Sequence, residues 1–257
     1  MACVETQRQD LEASEKLYLL AADLFEKGHY RPALEELLKS LAANPKNAEA
    51  HYLRGLLALR EAADSEAMIE RQSCLRGEEA RLERQIIDAK FQEAERSFLE
   101  AVTIRPDSSD GWNSLAVVDL HFGRWEAAIA HSGKALGNPV YRQPWVAQGN
   151  LGWAYHQKKD YLRAARELRQ SLFANPQFCV GRYRLAKNYY EQGDYEAAEE
   201  ELARVTSDVK CPIQEAFLLH GVVALKRGDR PRAAALFQRC GELAPRSCLA
   251  RECRIGE

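Results

Sequence analysis

The sequence predicts an all-α fold, a right-handed superhelix or α-solenoid of six stacked helical hairpins closed by a C-terminal capping helix. Three observations carry this. In the stretch Trp145 to Phe178, Leu151, Gly152 and Tyr155 and then Ala164, Leu168 and Ser171 fall at helical spacing in two segments, and Pro176 ends the second. Counted from Trp145, Gly152 is position 8 and Ala164 position 20, where two crossing helices leave no room for a larger side chain. The same frame recurs along the chain: position 8 is Ala21, Gly55, Ala116, Gly152, Ala186 and Gly221, and position 20 is Ala33, Ala94, Ala128, Ala164, Ala198 and Ala233.

This is the tetratricopeptide (TPR) spacing, a helix–turn–helix of about 34 residues. Position 17, where an aromatic ring covers the turn between the helices, holds Tyr30, Phe91, Trp125, Tyr161 and Tyr195, and Arg230 departs from it in the last unit. The closing proline is Pro45, Pro106, Pro176 and Pro245, with Pro139 one place early.

In chain order, residues 1–13 are read as a polar tether with a cysteine, Cys3, near its start. Unit one spans 14–47, with Gly28 in its turn. Unit two spans 48–108, and 39 residues separate its positions 8 and 20 where about 12 are normal for the frame. The excess lies at about 61–88, lacks proline and is rich in Ala, Glu, Arg and Leu, so both helices of this hairpin should run on past the usual turn to a new one near Gly77 and protrude as a charged helical arm. Unit three spans 109–144 and carries Trp112 at position 4. It ends in NPVYRQPW, whose two prolines disturb the superhelix locally. Units four (145–178), five (179–213) and six (214–246) follow, and 247–257 forms a cap over the last apolar face.

Composition narrows the function classes. The chain has 257 residues, 46% hydrophobic and 29% charged, with a formal net charge of −2, so it offers neither nucleic acid nor anionic lipid an overall electrostatic attraction. No run of about 18 or more uncharged apolar residues occurs to span a bilayer. No glycine-rich phosphate loop, G-x-S-x-G or H-E-x-x-H is present, and the six histidines have no metal-ligand spacing. The repeats leave no residues for a catalytic domain, so no enzyme, cofactor, metal or small-molecule substrate is expected. Arg227-Gly228-Asp229 falls at positions 14 to 16 and is read as a turn.

Seven cysteines are many for a helical repeat in a reducing compartment, and five crowd the C-terminal third. Cys179 and Cys211 stand at nearly equivalent ends of neighbouring hairpins and can be bridged. Cys240, at position 27, faces the capping helix that bears Cys248 and Cys253; the disulfide candidates are thus Cys179, Cys211, Cys240 and Cys253, with Cys74 on the arm left unpaired.

The Met-Ala-Cys3 start with its polar linker, the six repeats and the segment NPVYRQPWVAQGNLGWAYHQKKDYLRAA together resemble the PilF/PilW/Tgl group of type IV pilus biogenesis lipoproteins, and the Cys-rich end is most similar to Tgl. Members are outer-membrane pilotins of six TPR units that help the secretin PilQ insert and assemble. The resemblance implies lipidation at Cys3, attachment to the periplasmic face of the outer membrane, and a secretin subunit as partner. The competing expectation is a soluble TPR scaffold or chaperone adaptor, which grips a peptide carboxylate with Lys and Asn at positions 5 and 9 of its first unit. Tyr18 and Ala22 stand there instead, although Asn113, Asn150 and Arg184 leave a partial clamp mid-chain.

Either partner would lie in the concave groove, which positions 2, 5, 9, 12 and 13 of each first helix line. These supply Tyr18 and Phe25, Tyr52, Leu56 and Leu59, Val117 and Leu120, Trp153, Tyr183 and Tyr190, and Leu218, Val222 and Leu225. The expected occupant is an apolar or amphipathic segment.

Overall fold

The computed structural model describes the backbone of residues 2–72 and 74–256 and the side chains of 8–70 and 74–254. Among these residues there are thirteen α-helices and no strand. They pair as hairpins: α1 (Ala2–Glu26) with α2 (Tyr30–Ala43), α3 (Ala48–Ala67) with α4 (Gly77–Ile104), α5 (Ser109–His121) with α6 (Trp125–Leu136), α7 (Pro144–Gln157) with α8 (Tyr161–Ala174), α9 (Cys179–Glu191) with α10 (Tyr195–Ser207), and α11 (Gln214–Lys226) with α12 (Arg230–Leu243). A short α13 (Cys248–Gly256) packs on α12 and α11, in the place where a further first helix would stack.

The crossing points explain the small residues. A Cβ added to Gly152 would lie 2.7 Å from Leu168 Cγ, 3.1 Å from the Leu168 backbone nitrogen and 3.2 Å from the Ala164 carbonyl oxygen. At Gly55 and Gly221 it would lie 2.4 Å from the Phe98 and Phe237 rings. The turns repeat as well. Gly28, Gly123, Gly193 and Gly228 all have positive φ at position 15, and Lys159 takes the same left-handed conformation in unit four with φ 62°. Asp160, Asp194 and Asp229 then accept hydrogen bonds from the backbone N–H three residues on, starting the second helices of units four to six.

First helices of successive hairpins touch each other, as in α5–α7, α7–α9 and α9–α11, whereas the second helices stand farther apart. The inner face is therefore built from α1, α3, α5, α7, α9 and α11.

Three expectations are corrected. Residues 2–13, read as a tether, are the first turns of α1, which has no Gly or Pro before Gly28 to stop it; residues 8–13 are exposed. The side chain of Cys3 lies outside the described residues. The arm does not simply protrude. It continues α3 through a π-helical turn, Met68–Gln72, and returns along α4, and one apolar stripe, Ala62, Ile69, Ala80 and Ile87, is buried. Ile69 and Ile87 join a core with Phe91, Leu115 and Val118, so the base of the arm packs on unit three. Finally, Cys74 is not unpaired: it forms a disulfide with Cys248 at the start of α13, 174 residues away. The helical, charged character of the arm is legible in sequence, but the contact of its tip with α13 depends on the curvature accumulated over four intervening units.

Candidate functional site

The groove residues fall into two groups. Tyr18, Phe25 and Leu56 pack half-buried on the core of units one and two, and Tyr52 and Leu59 pack on the core around Phe98 and Leu115. Tyr190 packs on the unit-five core, while Leu218 and Val222 pack around Phe237. These side chains close hairpins while showing one edge to the groove. Val117 and Leu120 are half-buried on α5, and Leu225 is exposed. Trp153 and Tyr183 have a further role, although Tyr183 also packs on the unit-five core beside Tyr190. They line one cavity of about 660 Å³, walled by α7, α9, the segment before α11 and the end of α12.

That cavity has a fixed frame. Cys179 and Cys211, both in its wall, are disulfide-bonded, tying the start of α9 to the loop before α11. Trp153 is stacked on the buried His156 at 4.5 Å with 8° between the planes. Asn188 donates to the Tyr161 carbonyl at 3.0 Å, so its Oδ1 is the acceptor facing His156 Nδ1 at 3.1 Å, and the imidazole carries its proton there. Burial holds the His156 pKa below its ordinary value, partly offset by this hydrogen bond. Burial also pushes the Tyr183 phenol up to about 12, with the Glu215 carboxylate adding to the effect.

Arg184 forms the floor. Its Nη1 donates to the Gly149 carbonyl at 3.2 Å and to Asn150 Oδ1 at 3.0 Å, and its guanidinium carbon lies 5.4 Å from the Trp153 ring centre. Asn150 in turn donates to Asn113 Oδ1 at 3.0 Å. The three residues that suggest a partial carboxylate clamp thus form one hydrogen-bonded ladder across α5, α7 and α9, with both amides engaged internally and only the guanidinium at its end facing the cavity. Desolvation lowers the Arg184 pKa to about 10.

A second stretch of groove lies toward unit two. Tyr52 is pushed up to about 12 by burial and by the nearby Asp110 carboxylate. Tyr141, from the proline-rich junction, is raised by burial and faces Asp110 with its hydroxyl. Tyr141 was not among the groove positions because the repeat frame stops before the junction; its place between Pro139 and Pro144, which hold the loop off any helical path, was the available signal.

The described residues hold no cluster of three or more His, Cys, Asp or Glu side chains able to bind a metal, and no helix among them is long and apolar enough to cross a membrane. What the groove offers is a preformed aromatic surface with one desolvated cation, suited to holding a peptide segment.

Solved structures share this architecture. PilW, described as a widely conserved type IV pilus biogenesis factor, superposes with a TM-score of 0.74 at 22% identity, over 93% of this chain and 97% of that one. PilF of Pseudomonas aeruginosa gives 0.69 at 18% identity over 97% and 100%. YrrB, described as a TPR protein with an unusual peptide-binding site, gives 0.52 at 15% identity over 85% and 97%. No curated protein sequence matches the chain. Tetratricopeptide repeat models match residues 18–70 and 183–246, and a second such model matches 155–210, so that together they span more than half of the sequence. With the recurring Gly/Ala crossings and the hairpin stack, these matches show that the chain belongs to the tetratricopeptide repeat family.

Proposed function

We propose that this chain is a type IV pilus biogenesis factor that holds an apolar or amphipathic segment of a PilQ-like secretin subunit in its concave groove and promotes that subunit's insertion and multimer assembly. The observation that carries the reading is the end-to-end correspondence with PilW and PilF, in which 93% and 97% of this chain and 97% and 100% of those chains are matched. The groove supports it independently: Trp153 and Tyr183 line a preformed cavity, and Trp and Tyr are the side chains most often found as interface anchors. The three disulfides among the described residues suit an oxidising compartment such as the periplasm. Lipid on Cys3 is the proposed anchor to the periplasmic face of the outer membrane, with α1 carrying the hairpins away from it. The role is binding, with no catalytic step.

The test is secretin assembly in cells carrying Trp153→Ala, alone and combined with Tyr52→Ala. Because Tyr52 packs on Phe98 at 5.7 Å between ring centres, helix content and thermal stability are measured beside assembly. The folded double variant is expected to lose secretin multimers while staying with the outer membrane. Normal multimers in a folded double variant overturn the groove mechanism. A Cys3→Gly precursor that still fractionates with the outer membrane overturns the anchor.

A further inference from the structure

Resting on that groove, we infer that the segment seated beside Trp153 carries an acidic side chain next to its apolar anchor, and that Arg184 and Lys187 receive the carboxylate. Arg184 is the central observation. Its Nη1 has two neutral acceptors, Gly149 and Asn150, and its remaining donors have no partner among the described residues. No carboxylate forms an ion pair with it, although the chain pairs its neighbouring arginines readily. Arg182, two residues earlier on α9, meets Glu201 at 2.6 Å, and Arg232 on α12 meets Glu199 at 2.7 Å. Arg184, which faces the cavity, has no such partner among the described residues.

Lys187, one turn further along α9, holds its ammonium 5.8 Å from the same Trp153 ring and likewise makes no ion pair among the described residues. Lys210, in the facing wall, makes none either. The single acidic residue of the lining, Glu215, acts on the Tyr183 phenol and pairs with none of the three cations. The cavity therefore carries excess positive charge beside an apolar wall. Half-buried at the cavity wall, the guanidinium keeps idle donors there, and a carboxylate arriving with the partner occupies them in charge-assisted hydrogen bonds. One further feature identifies the carboxylate as a side chain within a segment, and another favours its binding. The groove continues on both sides of the cavity, past Tyr141 and Tyr52 in one direction and Leu218 and Val222 in the other, so a bound chain has room to enter and leave. The Cys179–Cys211 disulfide holds the wall in its binding geometry, which lowers the ordering cost of association.

The experiment uses the oxidised full chain to select from random dodecapeptides displayed in two formats, flanked on both sides or ending in a free C-terminus. Flanked sequences pairing Asp or Glu with an adjacent large apolar residue are expected to enrich. The best of them, synthesised acetylated and amidated, should lose at least tenfold in affinity when its acid is changed to the amide, and at least tenfold on Arg184→Gln. The two losses should not add, because they remove one interaction. Lys187→Gln should cost less. Arg184→Lys, which keeps the charge, should retain more binding than Arg184→Gln, and thermal unfolding of both reports whether the ladder with Asn150 survives. Enrichment of purely apolar peptides insensitive to Arg184→Gln overturns the carboxylate while leaving the groove reading intact. Enrichment confined to the free C-terminus overturns it in favour of a chain end. No enrichment, or binding indifferent to Trp153→Ala, removes the groove reading and this inference together.

Discussion

Units two and four are built on the same frame and come out differently. In both, a glycine at position 8 lets the first helix approach the second: Gly55 faces Phe98, and Gly152 faces Leu168 and the backbone of Ala164. Unit four then turns at Lys159 and closes in 14 residues of α8, with every contact made to its own hairpin or to a neighbour. Unit two continues through the π-helical turn at Met68–Gln72, and its tip is covalently bound to the capping helix. The Cys74–Cys248 bond encloses units three to six in a single covalent ring. A repeat array is ordinarily a sum of local units and nearest-neighbour interfaces. Here one insertion adds a long-range link to that sum, and the groove between the linked ends is held at one curvature.

The largest expected effect comes from cutting that link. In the chain-entropy model a bridge across 174 residues stabilises by about 5 kcal/mol, so Cys74→Ser with Cys248→Ser should lower the denaturation midpoint strongly. The transition should also broaden as the units regain independence, which denaturant unfolding followed by circular dichroism will read. An unchanged midpoint and slope would mean that unit two is no more connected than unit four.

Next is the crossing that the two units share. Gly152→Val places its side chain against backbone that cannot move without parting α7 from α8, and about 1–3 kcal/mol of destabilisation is expected. Gly133, with nothing within 4 Å of its added Cβ, is the control: Gly133→Ala should be neutral or stabilise α6 by up to about 1 kcal/mol. If both substitutions cost the same, crowding is not what selects the small residue.

Lys159 holds a left-handed conformation that its counterparts give to glycine. Lys159→Gly should therefore stabilise by roughly 1 kcal/mol, the order of the steric cost of that conformation in an L-residue, seen as a higher midpoint. A loss of stability would show that the turn of unit four is not strained.

The smallest effect expected is a pH dependence centred on His156 under Trp153. Its pKa is held below the ordinary 6.5 by burial, so between the two values the unfolded chain binds more protons than the folded one. Stability is then fully present above about pH 6.5 and falls as the pH drops below it. Burial lowers His220 in the same direction. His156→Gln, whose amide can still donate to Asn188, should flatten the acid side of the stability profile relative to the parent. An equally steep profile in the variant would assign the dependence elsewhere.

The repeat frame was legible because it is local. Ala at position 20, Gly or Ala at position 8 and the aromatic at position 17 are each demanded by contacts within one hairpin, and every hairpin faces the same steric problem. Cys179 and Cys211 could be paired from the frame for the same reason, since they occupy matching ends of adjacent units. The groove was legible only in part. Position numbers identify the side of the helix, but whether Tyr52 closes a hairpin or Trp153 walls a cavity depends on what packs behind each ring. The continuation of the first helix to Ala2 was missed because a polar composition describes exposure and says little about backbone conformation. The partner of Cys74 lay beyond reach of any pattern: small rotations between successive hairpins add up over four units, and only their sum brings the tip of the arm to the start of α13. Residue pairing inside a hairpin follows from side-chain size and helical period, whereas pairing across the array follows from accumulated curvature, which no single repeat encodes.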